Sequence, residues 1–308
     1  MIIDVSIIIP TYNRQWSLPE AIQSCYNTSL NIEVIVIDDG STDDTWAWLS
    51  QQVNVISIRQ DNMGKDWAVN RGFNIAKGKY IRFLDSDDLL LPNSTDELFF
   101  EGEKNDLDIT CAGYLVYNEE GIFIKETSWT VCDDFLAQQL GECDSSHYSA
   151  YLFKKEFIKD IPHRQEYNAL DDRQFIIEAA MKQPKTGFIK SPALAHRLHQ
   201  KERLQNASGL LECANYLARL TIYKKCFNTL AAKGLLTQRQ KNAACNPLWH
   251  LAHWVAKINL HDAEEIYNWV YKLNPDFIPS ENLNIARLYK NIGFRNTEKL
   301  LRIRRFFK

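Results

Sequence analysis

The chain has 308 residues, 45% of them hydrophobic, and 36 basic side chains against 39 acidic ones give a formal charge of −3. That is enough apolar material for one large domain plus a smaller one, and the near balance of charge gives no general reason to expect a nucleic-acid partner. The seven cysteines (Cys25, Cys111, Cys132, Cys143, Cys213, Cys226 and Cys245) are scattered and never form C-x-x-C, so neither a zinc ribbon nor a disulfide framework is indicated and a reducing cytoplasm suits them.

Up to about residue 199, short β-branched runs alternate with helical segments, which predicts an α/β fold with a mainly parallel sheet flanked by helices. Val5-Ser6-Ile7-Ile8-Ile9 reads as the first strand and closes in Pro10-Thr11-Tyr12-Asn13-Arg14. A helix follows from about Leu18, with Pro19 in the first turn, where proline is tolerated. Glu33 to Ile37 is the second strand and runs into Asp38-Asp39-Gly40-Ser41. Then come a helix around Thr42 to Leu49, a strand from Val53 to Ile58, and a helix opened by Asn62-Met63-Gly64 and ended by Gly78. Tyr80 to Leu84 is the fourth strand and meets Asp85-Ser86-Asp87-Asp88. Farther on, the pattern predicts a helix near Ser94 to Glu103, a strand Asp108 to Tyr117 and a hairpin turning at Asn118 to Gly121. A strand His147 to Phe153, a helix Asp172 to Lys182 and a last strand Ala193 to Leu198 complete the domain. From about Gln205, Leu, Ala, Lys and aromatic residues recur at helical spacing. The chain therefore divides into a catalytic-type domain, 1–204, and a helical C-terminal region, 205–308, whose Trp249, Trp254, Tyr267, Trp269 and Tyr271 read as core.

Two apolar strands thus deliver carboxylates to the same kind of sheet edge, where open α/β sheets bind ligands. Crowded carboxylates repel one another unless a cation or hydrogen-bond donor shares the site, so Asp85-x-Asp87 is a candidate grip on a divalent metal. The competing structural reading is helix capping, and Ser41-Thr42-Asp43-Asp44 has the form of a capping box.

The ordered set Ile7 to Arg14, Val36 to Asp43, Asn62-x-Gly64 and Gly78 to Asp88 closely resembles the family 2 glycosyltransferases of the GT-A fold. The resemblance is dense over the first hundred residues and continues more weakly to about residue 200. It implies inverting transfer of a sugar from a nucleotide-diphosphate donor, UDP-linked by preference, with Mn2+ or Mg2+. By the family pattern, Asp87 is the first metal ligand and His199, in His196-Arg197-Leu198-His199, completes the shell. Asp85 faces the ribose or donor sugar, with Ser86 and Asp88 beside it. Asp39 accepts from the nucleotide base, and Pro10, Thr11, Tyr12 and Arg14 line that pocket with Asn62 and Gly64. The general base falls in Asp171-Asp172, with Asp172 the first choice and Asp171 the reserve.

One departure stands out. Where many relatives have an Arg-Asn pair in the helix after Asn-x-Gly, this chain has Val69-Asn70-Arg71, so Lys65 or Arg71 is left to substitute for the missing arginine. A sugar-1-phosphate nucleotidyltransferase is disfavoured, because its glycine-rich basic loop is missing after the first strand. A processive synthase is disfavoured too, for want of a Q-x-x-R-W-like segment and a membrane span. A non-catalytic nucleotide-sugar-binding protein is the remaining alternative. The resemblance suggests a glycan, lipid-linked or lipopolysaccharide-type acceptor in cell-surface polysaccharide assembly, met by loops at about 129–148 and 163–168. Asp4 stands where a secretory leader would carry positive charge and no apolar run is long enough to span a bilayer, so a cytoplasmic chain is expected. Segment 295–308 carries six basic residues and one acid among Leu300, Leu301, Ile303, Phe306 and Phe307. That composition suits peripheral contact with the anionic inner face of the cell membrane.

Overall fold

The computed structural model describes residues 2–199, 210–281 and 283–306. By contact, residues 1–131 and 145–208 form one compact unit, and residues 132–144 and 209–308 form another. The single boundary drawn from sequence, near residue 204, lies outside the described residues.

In chain order the elements are β1 (Val5–Thr11), α1 (Leu18–Cys25), β2 (Ile32–Asp38), α2 (Thr45–Leu49), β3 (Ile56–Arg59), α3 (Lys65–Ile75), β4 (Tyr80–Phe83), β5 (Leu89–Leu90), α4 (Ser94–Asn105), β6 (Ile109–Cys111), β7 (Tyr114–Tyr117) and β8 (Phe123–Thr127). After α5 (Phe135–Leu140), which belongs to the second unit, come β9 (Tyr151–Lys154), α6 (Lys155–Ile158), α7 (Asp171–Met181), β10 (Thr186–Phe188) and β11 (Leu194–Arg197). A seven-stranded sheet has the order β10-β6-β9-β4-β1-β2-β3, and a smaller sheet has the order β5-β11-β7-β8. β1, β2, β3 and β4 run parallel, so their carboxyl ends share one edge. Only β9 opposes its neighbours in the large sheet. Every residue of β1 is buried, as a central strand covered on both faces requires, and its near-continuous apolar run follows from that.

β4 carries one polar residue into this core. Arg82 is wholly buried, and its guanidinium donates to Ser94 Oγ, Thr95 Oγ1 and the carbonyls of Ala193 and Ser149. A buried charge is tolerated when its donors are met in this way. The arginine thereby ties β4 to α4 and to the start of β11.

Several sequence expectations need correction. The third strand begins at Ile56, because Val53 points into solvent at 93% exposure. The single strand expected from Asp108 to Tyr117 is two, β6 in the large sheet and β7 in the small one. Residues 148–150 form a 3-10 turn before β9. No capping box forms at 41–44: Asp44 caps α2 without a side-chain bond, Ser41 Oγ accepts from Asn13 N, and Asp43 accepts from Thr45 N. Gly78 does not end α3, which is capped by Ala76. Gly78 instead lets the chain pass close to β1, since a Cβ there would lie 2.4 Å from Ser6 N.

The second unit contains α5, α8 (Leu210–Ala232), α9 (Gln238–Val255), α10 (Leu260–Leu273) and α11 (Leu283–Phe306). Its core centres on the wholly buried Trp249, ringed by Tyr267, Tyr271, Phe277 and Tyr289. α11 kinks at Gly293, whose φ is 76°. No described helix is long and apolar enough to cross a membrane. In the basic tail, Arg295 pairs with Glu264, Arg302 donates to the Ala256 carbonyl and Glu298 is fully buried. The side chains of Ile303 to Lys308, on which the membrane expectation also rests, lie outside those described.

Gly78→Ala should lower stability by about 1–3 kcal/mol, because the clash is with backbone that cannot step aside. Urea unfolding measures this, and an unchanged midpoint would contradict the close approach.

Candidate active site

The shared edge of β1, β2 and β4 is built around carboxylates that each have a compensating partner. Asp38, at the end of β2, is fully buried and lies 3.3 Å from the Arg59 guanidinium. Asp39 N donates to the Thr11 carbonyl, which docks the residue against β1. The Asp39 carboxylate accepts from Gln60 Nε2 at 2.7 Å, Met63 N at 2.9 Å and Gly64 N at 2.8 Å. It therefore fixes the turn that launches α3, with Gly64 supplying a φ of 103°. Asn62 in that turn is exposed.

The loop after β1 is held to the loop after β2. Asn13 N donates to Ser41 Oγ, and Arg14 N donates to Thr45 Oγ1, each at 2.9 Å. Pro10 and Thr11 are buried in β1, whereas the Tyr12 ring is exposed at the rim. Arg14 swings back over its own loop, with Nη1 donating to the Tyr12 and Asn13 carbonyls and Nε lying 3.8 Å from Asp87 Oδ2.

After β4 the carboxylates diverge. Asp85 pairs with Lys65 at 2.8 Å. Burial works against both charges, but each favours the other's charged form, so the Asp85 carboxyl is held below its usual range and the Lys65 ammonium above its own. Ser86 is buried, and its carbonyl accepts from Ser17 Oγ. Asp87 Oδ2 meets His199 Nε2 at 2.9 Å, and the edge of Trp16 packs on that imidazole. Asp88 is fully buried, accepting from Arg197 N at 2.9 Å and meeting His196 Nδ1 at 3.0 Å.

Two donor sets are conceivable metal grips. Two cis ligands of an octahedral ion with bonds of about 2.1 Å stand about 3 Å apart, which is the Asp87–His199 spacing; the carboxylate suits Mg2+ or Mn2+, and the imidazole is a ligand for transition metals. Among the described residues, Asp88, His147 and His196 also bring ligand atoms within 4.8 Å of one another. There His147 Nδ1 accepts from Ser149 N, and Nε2 faces Asp88 at 3.9 Å. Both sets are candidate metal grips.

The third part of the site comes from the segment preceding α7. His163 is buried, with Nδ1 2.8 Å from Asp171 Oδ2 and Nε2 2.7 Å from the Tyr148 hydroxyl, and its ring stacks on Phe175. Its backbone is clamped by Asn70 of α3, which donates to the His163 carbonyl and accepts from its N–H. Asp171 is buried at 2% exposure; desolvation opposes its charge, but Lys65 and His163 outweigh it and hold the carboxyl well below its usual range. Asp172 is half-buried, and burial together with the Asp171 charge pushes its carboxyl upward. Lys65, Asp85 and His147 also act electrostatically on Asp172.

The structure thus brings Asp87, His199 and Arg14 into one cluster, and Lys65 and Asp85 into another within the field of Asp171 and Asp172. Arg71 lies on the exposed side of α3 and donates to the Arg59 carbonyl, while Val69 is core. Sequence reasoning missed His163, Asp66, Asn70 and Tyr148. Asp66 and Asn70, one helical turn apart after Gly64, are the signal that was present.

Asp39→Ala should cost about 1–3 kcal/mol, since it strips the acceptor from two backbone N–H groups and an amide at once. Chemical denaturation checks the loss, and wild-type stability would show that the turn does not depend on the carboxylate.

The sequence profile of Glycosyl transferase family 2 matches residues 6–163, just over half of the chain. Glycosyltransferase GlyG of Streptococcus pneumoniae is 33% identical over 143 residues, 44% of this chain and 48% of GlyG. Minor teichoic acid biosynthesis protein GgaB of Bacillus subtilis is 25% identical over 213 residues, 64% of this chain but 23% of GgaB. The chain thus spans about half or less of the length of these relatives. The S. aureus TarS 1–349 crystal structure in complex with UDP-GlcNAc superposes with a TM-score of 0.57 at 14% identity, covering 97% of this chain and 92% of that one. That likeness shows the GT-A-type fold. With its profile match and its carboxylate-bearing sheet edge together, the chain belongs to glycosyl transferase family 2.

Proposed function

We propose that this chain is an inverting, metal-dependent glycosyltransferase that moves a sugar from a nucleotide-diphosphate donor, UDP-linked by preference, to a hydroxyl of a glycan or lipid-linked acceptor. The observation that carries the reading is Asp172, a half-buried carboxylate whose proton affinity is raised by burial and by Asp171 and which lies in the field of the Lys65–Asp85 pair. A base of that kind takes the acceptor's hydroxyl proton as the oxygen attacks the anomeric carbon from the face opposite the leaving diphosphate. Asp171, bound to His163 and buried, orients the turn rather than meeting the acceptor.

Asp87 and His199 would hold Mn2+ or Mg2+. When bound, the ion neutralises charge that builds on the departing diphosphate. Arg14, 3.8 Å from Asp87, adds a fixed positive group beside the same oxygens. Lys65 stands where the family's missing arginine leaves room for a cation, and its pairing with Asp85 holds that carboxylate toward the donor sugar. Tyr12, exposed at the rim, offers a face on which a base can stack. The Asp39 carboxylate, with Pro10 and Thr11, forms the wall behind it.

UDP preference is supported by the solved TarS complexes with UDP-GlcNAc and with UDP. Cell-surface polymer assembly is supported by the similarity to GgaB. A lipid-linked acceptor would bring the chain to an anionic membrane surface. Arg295 and Arg302 are already engaged within the helical unit, so in this reading Lys299, exposed on α11, is the described tail cation left to meet that surface.

Calorimetric titration with UDP should show binding strengthened at least tenfold by Mn2+ in the wild type but not in Asp87→Ala. Metal-independent affinity in the wild type would remove the metal from the reading. Asp172→Asn should keep UDP binding and lose transfer by about two to four orders of magnitude, measured as sugar release from UDP-sugars. Wild-type turnover by that variant would place the base elsewhere. Binding without turnover in the wild type across a panel of UDP-, GDP- and CDP-sugars would favour the non-catalytic alternative.

A further inference from the structure

Asp66 sits in the first turn of α3 and is 6% exposed. An acid at that position ordinarily serves as an anion beside the positive end of the helix. Here its carboxyl is hydrogen-bonded to that of Asp171, itself buried. Two carboxylates cannot share such a contact, because neither can donate and their charges repel in a medium that screens poorly. One proton must lie between them. Asp171 already faces His163 and lies in the field of Lys65, both of which favour its anion, so the proton belongs to Asp66.

The contact is one of a row. Along the first two turns of α3, Lys65 reaches Asp85, Asp66 reaches Asp171, and Asn70, one turn on from Asp66, grips the backbone of His163. The helix launched by the Asp39-bound turn therefore holds the two segments that carry the candidate donor-side and base-side carboxylates.

We propose that Asp66 is a positioning residue: as a neutral acid it donates a hydrogen bond to Asp171, and this bond fixes the turn that presents Asp172 to the acceptor. The role rests on the reading of Asp172 as base. Loss of the shared proton would set two buried anions against each other and release that turn. The groups facing Asp66 are Lys65 on its own helix and Asp171 and Asp172 on α7, with His163 beyond Asp171. Burial, and after it Asp171, pushes the Asp66 carboxyl up to about 8. Between about pH 4 and pH 8 the folded chain then keeps a proton that the unfolded chain has released, so this group makes stability fall as pH rises across that window and contributes no further slope above it.

The test compares full-length wild type, Asp66→Asn and Asp66→Ala. Asparagine keeps a donor toward Asp171 and cannot ionise; alanine removes the bond. In thermal unfolding from about pH 5 to pH 9, the melting temperature of Asp66→Asn should gain on wild type by several degrees up to about pH 8 and then run level with it. Hydrolysis of UDP-N-acetylglucosamine and UDP-glucose with Mn2+ supplies the second readout. Wild-type kcat should decline above about pH 8, Asp66→Asn should match the neutral rate within about threefold without that decline, and Asp66→Ala should lose at least tenfold. A melting-temperature difference that does not change with pH overturns the shared proton, whether or not either probe turns over. An unaltered alkaline decline in Asp66→Asn, or a loss equal to that of alanine, overturns the positioning role. Asp172→Asn run alongside separates the two readings: if it hydrolyses like wild type, the base assignment has failed, while the unfolding series still decides the proton on Asp66.

Discussion

Gathering carboxylates at the carboxyl edge of a parallel sheet is the constraint to which the rest of this structure answers. Asp38, Asp39, Asp85, Asp87, Asp88, Asp171 and Asp172 converge on that edge with Asp66 beneath them, and in a poorly screening environment each must be offset. The offsets come from different parts of the chain: Arg59 from β3, backbone amides from the turn before α3, Lys65 from α3 itself, and His196 and His199 from the last strand of the unit and just beyond it. Because each partner lies on another element, satisfying the charges also fixes the elements in space. The fold and the electrostatics of the site are therefore one problem. That is why Arg82 is buried with four hydrogen bonds that anchor β4 where the acidic turn begins.

The same constraint divides the carboxylates by task. Those that are fully enclosed, Asp38, Asp88 and Asp171, have partners that take up their charge and leave them as supports. Those that keep some access to solvent are Asp85, Asp87 and Asp172, the access that the roles proposed for them toward a donor, an ion and an acceptor require. Burial distinguishes Asp171 from its neighbour Asp172 even though the two are adjacent in sequence and share a helix start.

Much of this was legible without coordinates. Buried parallel strands announce themselves as apolar runs, so β1, β2 and β4 and the acids that follow them were found, and with them the carboxylate-bearing edge. Asp87 with His199 was found only through family resemblance, since 112 residues separate the pair and no spacing rule connects them. The places where sequence reading failed share a cause: local propensity was outvoted by tertiary contact. Ser41 has the chemistry of a cap, but its hydroxyl serves Asn13. Gly78 has the look of a helix stop, but it is needed for close passage against Ser6. Residues 108–117 have one uninterrupted strand pattern, yet the chain changes sheets between Cys111 and Tyr114. Asp66 was overlooked because a first-turn acid is unremarkable until a second carboxylate is seen against it.

Inversion at the anomeric carbon is the central claim, because it is what requires a base at Asp172 on the side opposite the diphosphate. Proton NMR of the sugar first released from a UDP-α-hexose, read before mutarotation, tests it most directly. The account predicts the β-anomer as the initial product. An α-anomer appearing first would contradict it and would remove the role assigned to Asp172.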